Sequence, residues 1–457
     1  MLKLTFFGGA QEVTGANYLL EYHLGEKKDQ PIKILVDCGL LQGTKEQEEK
    51  NREPFKYLPG EIDFLFITHA HLDHIGRIPQ LVKNGFAGRI ISTAATKDLS
   101  ELSLSDSLNI FEKEAAKWNI EPIYSKEDIT EAMRLWETVE YEQQLKLEGF
   151  TATLREAGHI LGSAMIEFNI EGKKIVFTGD LGNFPAPLLR APYNLSETDY
   201  LIIESAYGNK EHEDKESRKM KVERAIEKVV SKNGVLMIPS FSVERTQELL
   251  FEINDLVENK HIPSLPVFLD SPMAIRATEI YKRYEKYFNK EAQYVIDSGD
   301  DIFKFPGLKM TLKSEESKVI NSIPPPKIIM AGSGMSTGGR IIHHEKRYLP
   351  DPNSTLLIAG YQTAGTLGRH LSDGAKEVEI LGERIPVNAE ILPVSGYSAH
   401  LDAEGLYSFI EKIADRAEKI FVVQGEPAAA CFLTQRVRDC LGADAVAPKI
   451  GDSFELV

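Results

Sequence analysis

The sequence predicts an α/β fold, and three observations support this prediction. Apolar runs of strand length alternate with longer amphipathic segments, as in chains whose strands are connected by helices. Repeats and low-complexity tracts are absent from the 457 residues. With 42% hydrophobic residues, a chain of this length can build cores for two or more domains.

The composition excludes several classes of protein. The three cysteines form no CxxC pair, which argues against a disulfide framework and against a thiolate zinc site. No apolar run approaches the roughly 18 residues of a spanning helix, so we expect a cytoplasmic protein without a membrane partner. The net charge of −16 weakly disfavours a nucleic-acid partner, although local fields matter more than the sum.

The first strands lead directly to the strongest motif. Residues 1–9 alternate in polarity and stop at glycine, and the apolar run 33–36 ends in Asp37. The next apolar run, 64–67, is followed by THAHLDH, which places three histidines and an aspartate within six positions. Imidazole nitrogens and carboxylate oxygens suit zinc, and a catalytic zinc takes about three protein ligands. The cluster therefore predicts a site for a pair of divalent metals.

Two later strand ends add candidate ligands. A helical stretch is predicted from about 96 to 145, and strands are predicted at 151–155, 164–170, 174–179 and 200–203. His159 follows the first of these strands between glycines, and Asp180 follows the third. Each alone is typical of a turn or a helix cap. Their order after the THAHLDH cluster favours metal binding.

The pattern changes near Gly208, where we predict an inserted series of helices and strands. It comprises an amphipathic segment 216–232, strand 235–239, helix 243–258, strand 266–269, further helix to about 313 and strand 327–331. Prolines 324–326 predict a loop before the last strand, because proline lacks the donor that a ladder needs. A βα region from 388 to 457 is expected to return to the first domain. The predicted domains are 1–208, 209–368 and 369–457.

Three features of the second half point to one family. Glu204 ends a buried strand, His370 follows a glycine-rich turn, and His400 ends another strand. Together with the earlier motifs, the chain resembles the metallo-β-lactamase superfamily and its β-CASP nuclease branch. In that resemblance Glu204, His370 and His400 match motifs A, B and C. It implies a metallo-β-lactamase αββα sandwich with an inserted α/β β-CASP domain.

The resemblance also implies a substrate class. Within the family, a histidine at motif C goes with RNA, so His400 favours single-stranded RNA as the substrate. The sequence is similar to the short bacterial and archaeal relatives of the endonuclease subunit of the cleavage and polyadenylation specificity factor. We therefore expect a zinc-dependent ribonuclease that cuts phosphodiester bonds internally through a hydroxide activated by two metals.

The resemblance implies a role for each candidate residue. One zinc is expected on His69, His71 and His159, the other on Asp73, His74 and His400, with Asp180 bridging. Asp37 is expected to orient ligands or the attacking water. His370, with a carboxylate such as Glu204 on its other nitrogen, is the expected general acid for the leaving alkoxide.

A glycine-rich loop at 330–340 is the predicted substrate contact. It follows a strand and opens a helix, so its backbone amides could cradle a phosphate. The residues assigned to this contact are Gly332, Ser333, Gly334 and Arg340. A dinucleotide site or a P-loop would need an acid about 20 residues on or a GK[ST] motif, and neither is present.

Several alternatives stay open. The enzyme could degrade RNA from the 5′ end, hydrolyse a lactone or thioester with the same metals, or be an inactive scaffold. A homodimer is one way to add RNA-holding surface. Gln424 stands where many relatives carry a histidine, and the sequence does not indicate its effect.

Overall fold

The computed structural model describes residues 2–23, 31–43, 45–213, 215–360, 362–363 and 365–457. The chain divides into two compact units, the first formed by Met1–Glu211 with His400–Val457 and the second by His212–Ala399. Among the described residues, no helix combines the length and the apolar character that membrane crossing requires.

The first sheet of the first unit mixes antiparallel and parallel pairing. Its order is β22-β1-β2-β3-β4-β5-β6, with antiparallel pairing from β22 to β3 and parallel pairing from β3 to β6. The strands are β1 (Leu2–Gly8), β2 (Asn17–Tyr22), β3 (Ile32–Val36), β4 (Phe64–Phe66), β5 (Arg89–Ser92), β6 (Trp136–Thr138) and β22 (Ser453–Leu456).

The second sheet of this unit has the order β21-β20-β11-β10-β9-β8-β7. Strands β7 to β10 form an antiparallel meander, and β10, β11, β20 and β21 run parallel. The strands are β7 (Gln144–Leu147), β8 (Phe150–Glu156), β9 (Ala164–Ile170), β10 (Lys173–Phe177), β11 (Tyr200–Glu204), β20 (Lys419–Val423) and β21 (Ala445–Val446).

The two sheets pack face to face through an aromatic core. Phe66 of the first sheet meets Phe168 of the second with ring centroids 4.9 Å apart, and Phe6 meets Phe421 at 5.4 Å. Helices cover the outer face of each sheet, and a separate apolar cluster lies between each sheet and its helices. The unit is therefore the predicted αββα sandwich. Its helices are α1 (Lys45–Lys50), α2 (Leu72–Ile75), α3 (Ile78–Lys83), α4 (Ala94–Trp118), α5 (Lys126–Arg134), α13 (Ala403–Glu411) and α14 (Pro427–Leu441).

The prediction of helical structure to about residue 145 is wrong beyond Arg134, where α5 ends. Trp136 begins β6, where it pairs in parallel with Ile90, and its indole nitrogen donates a hydrogen bond to the Ser92 hydroxyl at 2.8 Å. Its ring is buried in the outer core of the first sheet. Tertiary pairing and burial of this ring override the helical pattern around it.

The second unit is an α/β domain built on a parallel sheet with the order β14-β13-β15-β12-β16-β19, accompanied by the hairpin β17-β18. The strands are β12 (Val235–Pro239), β13 (Val267–Leu269), β14 (Leu308–Met310), β15 (Lys327–Ala331), β16 (Thr355–Ala359), β17 (Glu377–Ile380), β18 (Glu383–Pro386) and β19 (Glu390–Val394). The helices are α6 (Lys215–Lys232), α7 (Arg245–Glu258), α8 (Pro272–Arg283), α9 (Lys290–Asp297), α10 (Ser314–Val319), α11 (Ile341–Tyr348) and α12 (Leu367–Ser372).

The return to the first unit begins later in the chain than position 369. Strand β19 pairs with β16 over its whole length, so residues up to Ala399 belong to the second unit. The apolar run at 390–394 does not by itself reveal which sheet it joins. The first boundary, after Glu211, lies three residues from the expected one.

Candidate metal centre

The candidate ligands of the first unit follow the carboxyl ends of strands. Asp37 follows β3 and the 68–74 cluster follows β4, and these two strands are parallel neighbours. Asp180 follows β10 and Glu204 ends β11, which are parallel neighbours in the second sheet. His159 follows β8, which runs in the same direction as β10. The strand directions thus bring side chains from distant sequence positions together.

Four ligand atoms form a cage for one metal ion. The Nδ1 of His71 lies 3.1 Å from the Nε2 of His69 and 3.2 Å from the Nε2 of His159. Both of those Nε2 atoms lie 3.4 Å from the Oδ2 of Asp180. A tetrahedron of ligands at about 2.0–2.1 Å from zinc has edges of about 3.3–3.4 Å. The four side chains therefore fit a metal ion as they stand.

Asp180 also faces a second position. Its Oδ1 lies 3.5 Å from the Nε2 of His74, whereas its Oδ2 faces the first cage. The carboxylate of Asp73 lies 3.9 Å from the same nitrogen of His74, and the Nδ1 of His400 lies 3.9 Å from the Oδ2 of Asp180. Asp180 thus turns Oδ2 to the first cage and to His400, and Oδ1 to His74, an arrangement that would suit a bridging ligand.

Asp37 orients His74 from behind. Its carboxylate accepts hydrogen bonds from the backbone nitrogen and hydroxyl of Thr68, at 2.9 and 2.8 Å, and lies 2.7 Å from the Nδ1 of His74. With Nδ1 donating to this carboxylate, His74 can present Nε2 to a metal. Asp37 is fully buried and has a φ of 58°, a left-handed conformation that aspartate tolerates.

A close backbone approach supports this arrangement. A Cβ on Gly39 would lie 1.5 Å from the carbonyl oxygen of Asp73, so only glycine fits there. The backbone nitrogen of Cys38 donates to the carbonyl of His74 at 2.7 Å, which ties the Asp37 turn to the histidine cluster.

Glu204 orients His400 in the same manner. Its Oε2 lies 2.9 Å from the Nδ1 of His400, and its Oε1 accepts a hydrogen bond from the backbone nitrogen of Leu181 at 2.5 Å. Both oxygens of this carboxylate are thus engaged within the first unit, and the imidazole that it contacts there is that of His400. His400 is further held by a backbone bridge to Gly182, two residues after Asp180.

Burial and mutual repulsion decide the charges of the cage. Burial lowers the pKa of His69, and lowers those of His71 and His159 well below their usual value. Neutral imidazoles are the form that binds metal. Burial raises the pKa of Asp180, but the surrounding histidines outweigh it and hold that pKa well below its usual value.

At the second position, the pKa values of the histidines are raised instead of lowered. Burial lowers the pKa of His74, but the carboxylates of Asp180, Asp37 and Asp73 raise it well above the usual value. Burial likewise lowers the pKa of His400, and Glu204 and Asp180 outweigh it to raise that pKa to about 9. Excess negative charge at this position suits a cation.

Gln424 is a member of the centre that the sequence did not reveal. It follows β20, and its amide nitrogen lies 2.7 Å from the Nε2 of His74 and 3.1 Å from the Oδ1 of Asp180. A lone glutamine is a weak signal for a metal site. The histidine that many relatives carry here and the position at the carboxyl end of a strand parallel to β11 are the two signals that could have indicated it.

His370 lies in the second unit. It is an exposed residue of α12, and its backbone nitrogen bonds to the carbonyl of Thr366. Tyr361 and Ala364, which precede it in the predicted glycine-rich turn, lie outside the described residues.

In the loop predicted to contact substrate, the side chain of Arg340 is bound by the protein itself. Its guanidinium donates to the Oδ1 of Asp270 at 2.7 Å and to the carbonyls of Thr311 and Leu312, both at 2.8 Å. Burial raises the pKa of Asp270, but hydrogen bonds from His344, Ser317, Thr311 and Arg340 outweigh it and hold that pKa below its ordinary value. The side chain of Arg340 thus ties the unit together, and its assignment to substrate stays a prediction.

The glycines of this loop make close contacts. A Cβ on Gly334 would lie 2.6 Å from the ring of Phe241, an aromatic residue that is 41% exposed. The Ser333 hydroxyl accepts a hydrogen bond from the backbone nitrogen of Thr337 at 2.9 Å. A partly exposed aromatic ring thus packs against the glycine-rich loop.

Comparison with known families and proteins places these features in context. Residues 32–236 match the metallo-beta-lactamase superfamily, 246–371 the Beta-Casp domain and 384–448 the Zn-dependent metallo-hydrolase RNA specificity domain. The chain is 35% identical to ribonuclease TTHA0252 of Thermus thermophilus, covering 93% of each chain.

Archaeal relatives show similar agreement. The identity is 33% to an RNase J-like protein of Methanocaldococcus jannaschii, covering 93% of each chain. It is 30% to the transcription termination factor FttA of Methanosarcina mazei, covering 95% of this chain and 69% of the relative. A solved structure of a protein of unknown function from Enterococcus faecalis matches the whole chain with a TM-score of 0.57 at 12% identity, which shows similarity of fold alone.

Proposed function

Because the chain belongs to the β-CASP ribonucleases of the metallo-β-lactamase superfamily, we propose that it is a zinc-dependent endoribonuclease acting on single-stranded RNA. The observation that carries the metal part of the proposal is the cage of His69, His71, His159 and Asp180, of which four edges, at 3.1–3.4 Å, match those around a tetrahedral ion. The match to an RNA specificity domain supports RNA as the substrate.

The proposed centre has two metal positions. His69, His71 and His159 would hold one ion and Asp73, His74 and His400 the other, with Asp180 shared between them. The donors are imidazoles and carboxylates, a set that suits zinc. When bound, the ions would polarise the phosphate and lower the pKa of the attacking water.

The chain's own residues would orient these ligands. Asp37 and Glu204 would hold the Nδ1 protons of His74 and His400, which leaves Nε2 of each ring as the atom that could bind metal. Glu204 is therefore proposed as a positioning residue. We propose that the exposed His370 delivers a proton to the leaving 3′-oxygen of RNA, because an imidazole donates protons readily near neutral pH.

The second unit would contact the RNA strand. We propose that the backbone of Gly332 and Gly334 and the hydroxyl of Ser333 lie along a phosphate. The partly exposed Phe241 beside Gly334 offers a face on which a base could stack. Proteins that bind single strands combine such aromatic platforms with backbone contacts, and each stacked base contributes about 1–3 kcal/mol.

A time course on labelled RNA tests the proposal. Zinc-replete protein is mixed with a 5′-phosphorylated, 5′-labelled single-stranded RNA, beside the matching DNA, a chelator-treated sample and His71→Ala. We expect labelled fragments of intermediate length at the earliest times, from RNA alone, and none from the chelated sample or the variant. We also propose that the protein can form a homodimer, which light scattering on the same preparation would test.

The other outcomes separate the alternatives. Labelled mononucleotide appearing first would replace the endonuclease with a 5′-3′ exoribonuclease. Intact RNA together with hydrolysis of a lactone or thioester would overturn the ribonuclease proposal in favour of a small-molecule hydrolase. A protein that binds no zinc and cleaves none of these substrates would be a scaffold.

A further inference from the structure

Gln424 is buried at the junction of several strand ends in the first unit. It follows β20 with a φ of 46°, and its backbone nitrogen donates to the carbonyl of Gly9 at 2.6 Å. Its own carbonyl accepts a hydrogen bond from the backbone nitrogen of Ser205, the residue after Glu204. The backbone therefore fixes where this side chain begins.

The direction of its amide follows from its neighbours. The Oδ1 of Asp180 is an acceptor, so the end of the amide that lies 3.1 Å away must be the NH2 group. The same nitrogen lies 2.7 Å from the Nε2 of His74. Because the Nδ1 of His74 lies against Asp37, the lone pair with which His74 could bind a metal ion is that of Nε2, the atom that faces the amide.

This lone pair is the one that a second metal ion needs. A zinc ligated by His74 would lie about 2.0–2.1 Å from Nε2, in the direction that the amide of Gln424 occupies. An NH2 group cannot bind a cation, so it must leave, or the amide must turn and present its oxygen. The first cage is built differently, because its ligand nitrogens and the Oδ2 of Asp180 face one another.

We propose that Gln424 competes with the second metal ion for His74 and Asp180, so that the two positions fill in sequence. This inference rests on the two-metal centre of the proposed function. The cage of His69, His71 and His159 fills first, and the second position fills only at a higher free metal concentration. Gln424 thereby sets the metal concentration at which the centre becomes complete.

Metal titration of the apoprotein tests this inference without RNA. Co²⁺ is added at one fixed pH, so that protonation of His74 weighs equally on every sample. Binding is followed by the visible absorption of each site and by metal analysis after dialysis. The wild type is compared with Gln424→Gly, which removes the amide and accepts a positive φ, and with Gln424→Asn, whose shorter amide retreats from His74.

Gln80→Ala is the matched control. Gln80 is another buried glutamine of the first unit, and its amide donates to the carbonyl of Asn51 at 3.0 Å. Circular dichroism confirms that each variant is folded. We expect two binding steps in the wild type and the control. In the glycine and asparagine variants, the second step should shift to about tenfold lower metal concentration, which corresponds to about 1.4 kcal/mol, while the first step stays in place.

Two results would overturn the inference. An unchanged second step would mean that the amide does not compete with the ion. A weaker second step in both folded variants would mean that Gln424 is itself a ligand, through its oxygen. A protein that binds no metal at all would instead contradict the proposed function, so the two failures are distinguishable.

Discussion

The Nδ1 of His400 lies 2.9 Å from the Oε2 of Glu204, a carboxylate with no solvent exposure. Asp37 holds the Nδ1 of His74 in the same way at 2.7 Å. Both histidines of the proposed second metal position are therefore backed by buried carboxylates from separate strand ends. Such pairs fix the tautomer and aim of a ligand ring, and their loss typically costs about 10–100-fold in metal affinity or activity.

Glu204→Gln should weaken the second metal site. A glutamine keeps the shape of Glu204 but removes the charge that stabilises the donating Nδ1 of His400. We expect metal affinity at the second position and RNA cleavage to fall together by about 10–100-fold. Metal titration and cleavage rates on the same sample measure this. Lost cleavage with an intact second site would show that Glu204 acts on the proton donor instead.

Asp37→Asn should have a similar effect through His74. The amide can still accept from Thr68, but it no longer offers His74 a charged acceptor, so cleavage should fall about 10–100-fold. Asp63→Asn is a suitable control, because Asp63 accepts from the backbone of Lys33 at the surface. Equal loss of activity in both variants would contradict the assigned role of Asp37.

His370→Ala should slow cleavage without removing metal. If His370 protonates the leaving oxygen, RNA cleavage should fall by about 10²–10⁴-fold, the usual contribution of a general acid. A phosphodiester with a p-nitrophenolate leaving group needs no proton, so its hydrolysis should hardly change. His343→Ala, an exposed histidine of the same unit, is the control. Equal losses on both substrates would argue against the acid role.

Arg340→Ala should lower stability and leave RNA binding unchanged. The substitution removes two carbonyl contacts and one donor from the buried carboxylate of Asp270. Breaking a buried ion pair costs about 3–5 kcal/mol, and the partial exposure of Arg340 places the loss near the lower end. Thermal unfolding and the KM for RNA measure the two effects, with the exposed Arg347→Ala as control. A raised KM at unchanged stability would restore Arg340 as a phosphate contact.

Glu345→Gln should stabilise the protein only at higher pH. Burial raises the pKa of Glu345 from 4.5 to about 7, and the hydroxyl of Ser336 offsets this only in part. The folded state then binds a proton more tightly than the unfolded state, so stability falls as the pH rises from about 4.5 to 7 and stays low above it.

The variant avoids this penalty because it does not ionise. Its advantage over the wild type should grow across that pH range to at most about 3 kcal/mol. Thermal unfolding at pH 5 and pH 8 measures the difference, and Glu315→Gln, at the surface, is the control. An advantage of equal size at both pH values would contradict the raised pKa.

Much of the fold and a set of candidate ligands could be predicted from the sequence. The strands at 235–239 and 327–331 have the predicted limits, because each is a short apolar run bounded by turn residues. The cluster at 68–74 can be recognised from the sequence, since its candidate metal ligands lie within six residues after one strand. The predictions failed where a segment's partner decides its structure, as for Trp136 in β6 and for β19 beside β16.

The sequence by itself determined which side chains could hold metal, because ligand chemistry and strand-end position are both local properties of the chain. Only the tertiary structure decided how these side chains are paired. Glu204 meets His400 across 196 positions and Gln424 meets His74 across 350, and Arg340 meets Asp270 instead of solvent. Such contacts depend on strand order and sheet packing. These bring together residues that lie far apart in the sequence, and nothing in the local sequence of either residue indicates its partner.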